Sequence, residues 1–576
     1  MRSSLRAFVA VVALLPLAAC PGSSDEPDAR NVVLITLDTT RRDSLGVFGG
    51  REGITPNLDA FAAECVLYDN ARTTAPLTLP AHTSMLTGLY PPRHGVRDNA
   101  LTPVPRGATT LAEKAQEAGI ATGAVVAAAV LSSPYGLDQG FDLYDEPERA
   151  AGDHSYAARH ADEVTARATA WLEGLGADER FFLWAHYFDP HRPNDPTDEL
   201  LARADGDRYL ACVARMDDGV GDLLDALRAR DDWDDTLVII VADHGEARGE
   251  HGEGTHAVFV YDSTIRVPMM VRFPTSMERS EGSVEPAASV VDVFPTAIDL
   301  LGLGSAGAID GVSLRTPPPA DRGVYFESYY GRIYYGWSPL VGWADADAKY
   351  VHSTAPELYA TDVDPGELRN VVAERDPAPF VAALEALSRK PALDPDAEPI
   401  DRDILAALEK MGYAGSGAAG ELPGPLELDP DRPSPHTRPD ELRALVMAAS
   451  TSGAEPADRS RVIATLEGVL TRDPRNPWAW ARLGRMLIEA EDWPRAAQAL
   501  EQVRALDVPW PEDRLRLAQC YLELKRPADA AATLEETLEL DADNRTALGK
   551  LVEIYQALGR TADAARAFER LESLQR

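Results

Sequence analysis

Three apolar runs in this chain end in residues able to do polar chemistry. Asn31-Val-Val-Leu-Ile-Thr-Leu stops at Asp38, Phe181-Phe-Leu-Trp-Ala-His-Tyr-Phe at Asp189-Pro-His191, and Leu237-Val-Ile-Ile-Val-Ala at Asp243-His244-Gly245-Glu246. Carboxylates and imidazoles brought together can hold a divalent cation and can move protons at a reacting ester. Hard oxygens with an imidazole suit Mn²⁺, Mg²⁺, Ca²⁺ or Zn²⁺ without choosing among them. Taken alone, Asp38 is also a good helix N-cap and Asp-His-Gly-Glu a good loop turn. The shared position at the ends of strand-like runs points instead to one site.

Those runs say what must position the site. A continuous apolar stretch of this length is the pattern of a parallel strand covered on both faces. Helical periodicity fills the intervals, at 110–117 and 154–175 for example. Strands alternating with helices predict a doubly wound α/β sheet, in which ligands bind beyond the carboxyl ends of the strands. The α/β region runs to about Asp376, a short helical segment is expected at 401–413, and the catalytic domain as a whole spans 31–414. Residues 415–439 are rich in Gly, Pro and Ser and are expected to be a linker.

From 440 to 576 the composition shifts to Ala, Leu, Glu and Arg, and a period of 34 appears. It relates Leu483, Leu517 and Leu551; Leu487, Tyr521 and Tyr555; Ala496, Ala530 and Ala564; Leu500, Leu534 and Phe568; and Asp473, Asp507 and Asp541. These positions resemble tetratricopeptide repeats, helix pairs that bury their apolar faces against their neighbours. Residues 461–471 look like the second helix of a further, incomplete unit. The expected role is a concave groove for a protein partner or, failing that, a self-packed cap.

Composition narrows the classes further. With 576 residues, 45% hydrophobic and 26% charged, the chain can bury large cores in two to four domains. Its 56 basic against 93 acidic side chains, a net charge of −37, argue against nucleic acid as a partner. Of four cysteines, Cys65, Cys212 and Cys520 sit in apolar, helix-like contexts and are expected to be buried free thiols. Cys20 is different. Arg2 and Arg6 precede an apolar run over 7–19 that is too short to span a bilayer. Leu17-Ala-Ala-Cys20 resembles the bacterial lipoprotein signal, which implies a signal peptide over 1–19, lipidation of Cys20 and an acidic tether over 20–30. The expected location is the bacterial cell envelope, lipid-anchored at the outer membrane or periplasmic face.

The segment Thr78-Leu-Pro-Ala-His82-Thr-Ser-Met-Leu-Thr87-Gly88-Leu-Tyr-Pro91 resembles the sulfatase signature, a nucleophile followed by x-Pro-x-Arg and a Leu-Thr-Gly helix. Around it, in the family's order, stand Asp38-Thr-Thr-Arg-Arg-Asp43, Thr55-Pro-Asn-Leu-Asp59, His94-Gly95-Val96, Asp243-His-Gly-Glu246, Tyr261-Asp-Ser-Thr-Ile-Arg-Val-Pro268 and residues 357–370. The resemblance covers roughly 31–376 and implies the sulfatase branch of the alkaline phosphatase superfamily. Sulfatases carry Cys or Ser, converted to formylglycine, where this chain has Thr78. The Thr78 methyl blocks that route, because oxidation at Cβ would give a ketone. The Arg of x-Pro-x-Arg is His82, the second acid after the first strand is Thr39, and Ala124-Val-Val-Ala-Ala128 lacks the family's Lys and His sulfate ligands.

Threonine nucleophiles are found in relatives acting on phosphate esters, such as lipoteichoic acid synthases and nucleotide phosphodiesterases. The resemblance therefore implies a metal-dependent hydrolase or transferase of phosphate or sulfate esters. Asp38, Thr78, Asp243 and His244 would hold the metal, and Thr78, at a helix start opened by Pro80, would be the nucleophile. His82 would polarise the site in the Arg position. His186, His191, His251 and His256 are candidates for substrate contact and leaving-group protonation, with His256 in the region of a catalytic Lys or His. A second metal would fall on Asp189, His191 and His256, and Asn99 and Arg72 would line the pocket. A true sulfuric ester hydrolase and an inactive sulfatase fold serving as a repeat-based scaffold are the other readings.

Overall fold

The computed structural model describes residues 27–148, 159–277, 282–394, 422–451 and 455–574. The signal segment, Cys20 and the helical segment expected at 401–413 lie outside the described residues.

The three apolar runs form the strands Asn31–Leu37, Phe181–Tyr187 and Thr236–Ala242, buried at every position. Asn31–Leu37 lies between the other two and is parallel to both. Thr36 is level with His186 on one side and Val241 on the other. In-register parallel strands end together, so Asp38 and Asp243 emerge at one edge. The sheet has eight strands in the order Leu143–Asp145, Ala121–Val125, Phe181–Tyr187, Asn31–Leu37, Thr236–Ala242, Met269–Arg272, Val66–Tyr68 and Gly282–Val284. Met269–Arg272 runs against both neighbours, so the sheet is mixed.

Helices Pro56–Ala62, Ala161–Gly174 and Arg208–Arg228 pack together as one layer, and Thr78–Thr87, Leu111–Glu117 and Val293–Leu300 as another. This is the α/β arrangement expected from alternating periods. Cys65, Cys212 and Cys520 are buried free thiols, although Cys65 falls in a bend just before a strand, not in a helix.

A second, antiparallel sheet follows, Val324–Ser328, Leu340–Ala344, Lys349–His352 and Glu357–Tyr359, paired in chain order. Its aromatic residues, among them Tyr325, Tyr334 and Trp337, share one apolar cluster with Leu442, Leu466 and Leu483 of the helical region. The catalytic region and the repeats thus have a common core.

The expected linker is described from residue 422, and from there it is stitched to the second sheet. Tyr329 Oη donates to Pro423 O (2.9 Å), Ser338 N to Pro433 O (2.8 Å) and Arg432 Nη1 to Gly336 O (2.8 Å). Trp337 Nε1 donates to Asp473 Oδ2 at 2.8 Å. A stretch read as a spacer from its Pro and Gly content is in its described part a seam, because those residues supply turns against an aromatic surface.

Eight helices follow as four pairs, Pro439–Ser450 with Pro456–Arg472, Pro477–Glu489 with Trp493–Ala505, Pro511–Glu523 with Pro527–Leu540, and Arg545–Ala557 with Thr561–Ser573. The unit expected to be incomplete has its first helix in Pro439–Ser450. The apolar 34-residue partners are buried, except that Phe568 on the last helix is 54% exposed; of the acidic ones Asp473 is buried, Asp541 half-buried and Asp507 exposed. Among the described residues no further repeat covers Phe568.

Candidate active site

Helix Thr78–Thr87 begins at Thr78 itself, with Leu77 extended as its N-cap and Gly88 (φ 69°) closing it. Pro80 therefore lies inside the first turn, where a missing N–H costs no helical bond. Asn99 Oδ1 accepts from Leu79 N at 2.9 Å. Leu79 and Pro80 thus offer no free N–H to an incoming anion, which restricts the anion-binding role expected of this helix start.

Asp38, Thr78, His82, His186, Asp243 and His244 are all fully buried and lie together. Thr78 Oγ1 is 3.4 Å from both Asp38 Oδ2 and His244 Nε2. His244 Nδ1 faces Gly245 O at 2.9 Å, so its proton sits there and Nε2 presents a lone pair. Gly245 is required at this turn, since a Cβ would lie 2.2 Å from Ser263 O. His186 Nδ1 accepts from Ala127 N (3.4 Å), which leaves Nε2–H to donate to Asp38 Oδ2 at 3.3 Å.

Thr39 does more than replace an acid. Its backbone is left-handed (φ 54°), a conformation costing a β-branched residue about 1–3 kcal/mol. The turn aims Thr39 N at Asp243 Oδ1 (3.1 Å), while the Thr39 hydroxyl donates to Asp38 Oδ1. One residue clamps both carboxylates.

The remaining oxygen of the pair, Asp243 Oδ2, is buried without a hydrogen-bond partner, 3.5 Å from His244 Nε2 and 3.8 Å from His82 Nδ1. Burial would raise the Asp38 carboxyl, but the His186 hydrogen bond and the surrounding histidines hold it well below the usual range. Burial and the neighbouring Asp38 push Asp243 well above it. Two adjacent buried carboxylates with a free oxygen, a lone-paired imidazole and a hydroxyl fit a divalent cation. Asp38, Asp243 and His244 lie close enough to share one, and so do His82, His186 and Asp243.

His82 is not a cation in the Arg position. Burial, and then His186, lower its pKa to about 3. Its Nδ1–H donates to Thr78 O at 2.8 Å within its own helix, and Nε2 is buried without a partner.

Residues 30–303 match a sulfatase family model, and 458–512 and 514–544 match tetratricopeptide repeat models. Residues 30–303 are a sulfatase domain. The likeness of that domain to sulfatases supports an ester hydrolase. It is 24% identical to an N-acetylglucosamine-6-O-sulfatase of Bacteroides thetaiotaomicron over 64% of this chain and 88% of that one. It is 27% identical to human N-acetylgalactosamine-6-sulfatase over 51% of this chain and 66% of that one. The fold is similar to the phosphonate monoester hydrolase of Agrobacterium radiobacter, with a TM-score of 0.51 at 22% identity, covering 63% of this chain and 95% of that one.

Within this sulfatase domain the outer histidines divide. The His256 ring is 4.4 Å from that of His244 and 5.4 Å from that of His191, which stacks on Phe188. Both therefore border the site. His251 does not; it stacks on Tyr261 at 3.6 Å. Asp189 turns away, with Oδ1 accepting from Ala161 N and facing His160 and Arg215. Among the described residues, Asp189, His191 and His256 do not form a group close enough to share a cation, whereas His82, His186 and Asp243 do. Arg72 also lies elsewhere, in a buried ion pair with Asp262 (3.0 Å). Its 190-residue separation from Asp262 left no local signal.

One residue in a quoted motif was given no role from sequence. Glu246 Oε1 lies 3.5 Å behind His256 Nδ1, and burial raises its carboxyl pKa to about 7. Its place two residues after His244 was the available signal.

Proposed function

We propose that the chain hydrolyses or transfers phosphate esters with Thr78 as nucleophile, at the cell envelope through Cys20. The observation that carries this is the Thr78 hydroxyl within 3.4 Å of both Asp38 Oδ2 and His244 Nε2 at a helix start. A divalent cation held by Asp38, Asp243, His244 and Thr78 would lower the pKa of that hydroxyl and offset charge on a non-bridging oxygen.

The Thr78 proton is relayed through solvent to neutral His256 as Thr78 Oγ forms a bond to phosphorus and the bond to the leaving alcohol breaks. His256 protonates that alcohol. Burial, opposed by Asp38 and aided by Arg192, lowers the His256 pKa to about 4, so it starts neutral. The negative charge of a bound ester raises it toward the value a donor needs. Glu246 Oε1, 3.5 Å behind the ring, is placed to favour its protonated form once an anion has bound. Water then cleaves the phosphothreonine, or an acceptor hydroxyl takes the phosphoryl group, and the Thr78 hydroxyl is restored.

The sulfatases among the relatives favour a second reading, hydrolysis of sulfate esters at the same site. Phenyl phosphate and phenyl sulfate in direct competition separate the two. Thr78→Ala is expected to reduce turnover at least about 1,000-fold, with fold stability changed by about 1 kcal/mol or less. Chelation should reproduce the loss in the unaltered protein. An unchanged rate in Thr78→Ala, assayed beside a mock preparation, would end the nucleophile assignment.

A further inference from the structure

Beside the reaction centre lies a cavity of about 210 Å³ whose walls come from both halves of the chain. Leu77, next to the nucleophile, and His256 and His191 form its reacting side. Opposite them stand Leu442, Val446 and Ala449, all on Pro439–Ser450, the first helix of the repeats. Their spacing of four and three residues puts them on one helical face. Leu445 and Ala448, fully buried on the neighbouring face, join the core of the repeats. The helix is thus apolar on two sides, and one of them faces the cavity.

The helix is held there by close contact with the loop that follows the Asp-His-Gly-Glu turn. Gly252 (φ 87°) approaches so near that a Cβ would lie 2.7 Å from Pro439 Cβ. His436, just before the helix, stacks on Tyr261 at 4.3 Å and bonds Glu357.

We infer that the first repeat helix is a wall of the substrate pocket and selects esters whose leaving group is aromatic or otherwise apolar. The inference rests on the ester-hydrolase reading of the same site and adds the class of leaving group. Leu442, Val446, Val258 and the rings of Tyr330 and Tyr335 form a mainly apolar lining. Glu253 is the acid on that wall, and its Oε1 is already engaged by Val258 N and Phe259 N. Asn99, Arg192 and Thr255 are its other polar members, but hydroxyls of a carbohydrate leaving group set against Leu442, Val446 and Val258 would find no partner there. The cavity is smaller than the ~300–1,000 Å³ of pockets enclosing drug-sized ligands, and so suits one small group. The position next to His256 is where the leaving oxygen must be protonated, so that group is the alcohol or phenol half of the ester.

The test uses the full chain with Val446→Lys, and with Ala449→Glu at an exposed position on the same face. Circular dichroism establishes that each is folded. Two ratios are measured: kcat/KM for phenyl phosphate over methyl phosphate, and calorimetric affinity for phenylphosphonate over methylphosphonate. In the unaltered protein both ratios should be about tenfold or more, and each substitution should lower both, the binding ratio to close to one. If a folded variant keeps the unaltered ratios, or if the unaltered protein shows no phenyl preference in binding, the inference is overturned. A phenyl preference in phosphonate binding without turnover of either ester would instead remove the hydrolase reading and leave the pocket standing.

Discussion

At the scale of single residues, burial sets the chemistry. His82, His244 and His256 are neutral because the fold surrounds them with apolar groups and one another, with pKa values lowered to about 3, 3 and 4. A site whose histidines start neutral can offer lone pairs to a cation and protons only after an anion arrives. Glu253 shows the opposite sign. Burial, with only partial relief from two backbone N–H groups, raises its pKa from 4.5 to about 8. Between those values the unfolded chain has released a proton that the folded chain keeps, so this group's contribution to stability falls as pH rises. Glu253→Gln keeps an acceptor for Val258 N and Phe259 N and removes the titration. The Tm difference, variant minus unaltered protein, should therefore grow steadily from pH 5 to pH 8. A difference that is flat across that range would mean the carboxyl is ionised in the folded protein.

Among the elements, the repeats give the clearest contrast. Leu500, Leu534 and Phe568 occupy one position of the 34-residue period, yet Leu534 is fully buried and Phe568 is 54% exposed. A repeat buries this position only if another repeat stacks on it. Leu534→Ala should cost about 2–5 kcal/mol in urea denaturation through the cavity it leaves. Phe568→Ala should cost about 1 kcal/mol or less. Equal losses would mean that something covers the last helix in solution. The strands obey the same logic. Their all-apolar pattern, covered on both faces, makes the carboxyl edge the place where polar residues can emerge without penalty, and Asp38 and Asp243 emerge there.

For the molecule as a whole, the common core decides how the parts behave. Trp337 and Tyr335 are buried against Asp473 and Trp478, contributed by the repeat region, and Val258 and Phe259 of the catalytic region belong to the same cluster as Leu442. A period of 34 after a Pro-rich stretch suggests a separable module, with small-substrate turnover surviving its removal. The packing predicts otherwise. A chain ending at residue 438 would expose this apolar surface and should aggregate or bind a hydrophobic dye, whereas the full chain should unfold in one cooperative transition. A soluble truncated form with an unchanged Tm would restore the modular view.

Much was legible in the sequence because it is written locally. The central strands, the helix that starts at Thr78, the 34-residue helix pairs and the placing of Asp38, Asp243 and His244 at strand ends depend on residues a few positions apart. Long-range juxtaposition decided the rest. Asp189 ends an apolar run as Asp38 does, but the start of Ala161–Gly174 draws it away from the site. Arg72 is satisfied by Asp262, and Thr39 clamps a carboxylate 204 residues distant. The wall that Pro439–Ser450 lends to the catalytic pocket has no counterpart in local pattern, since an apolar stripe does not name the surface that will cover it. Hydrophobic periodicity specifies what an element must bury; only the folded chain specifies against what.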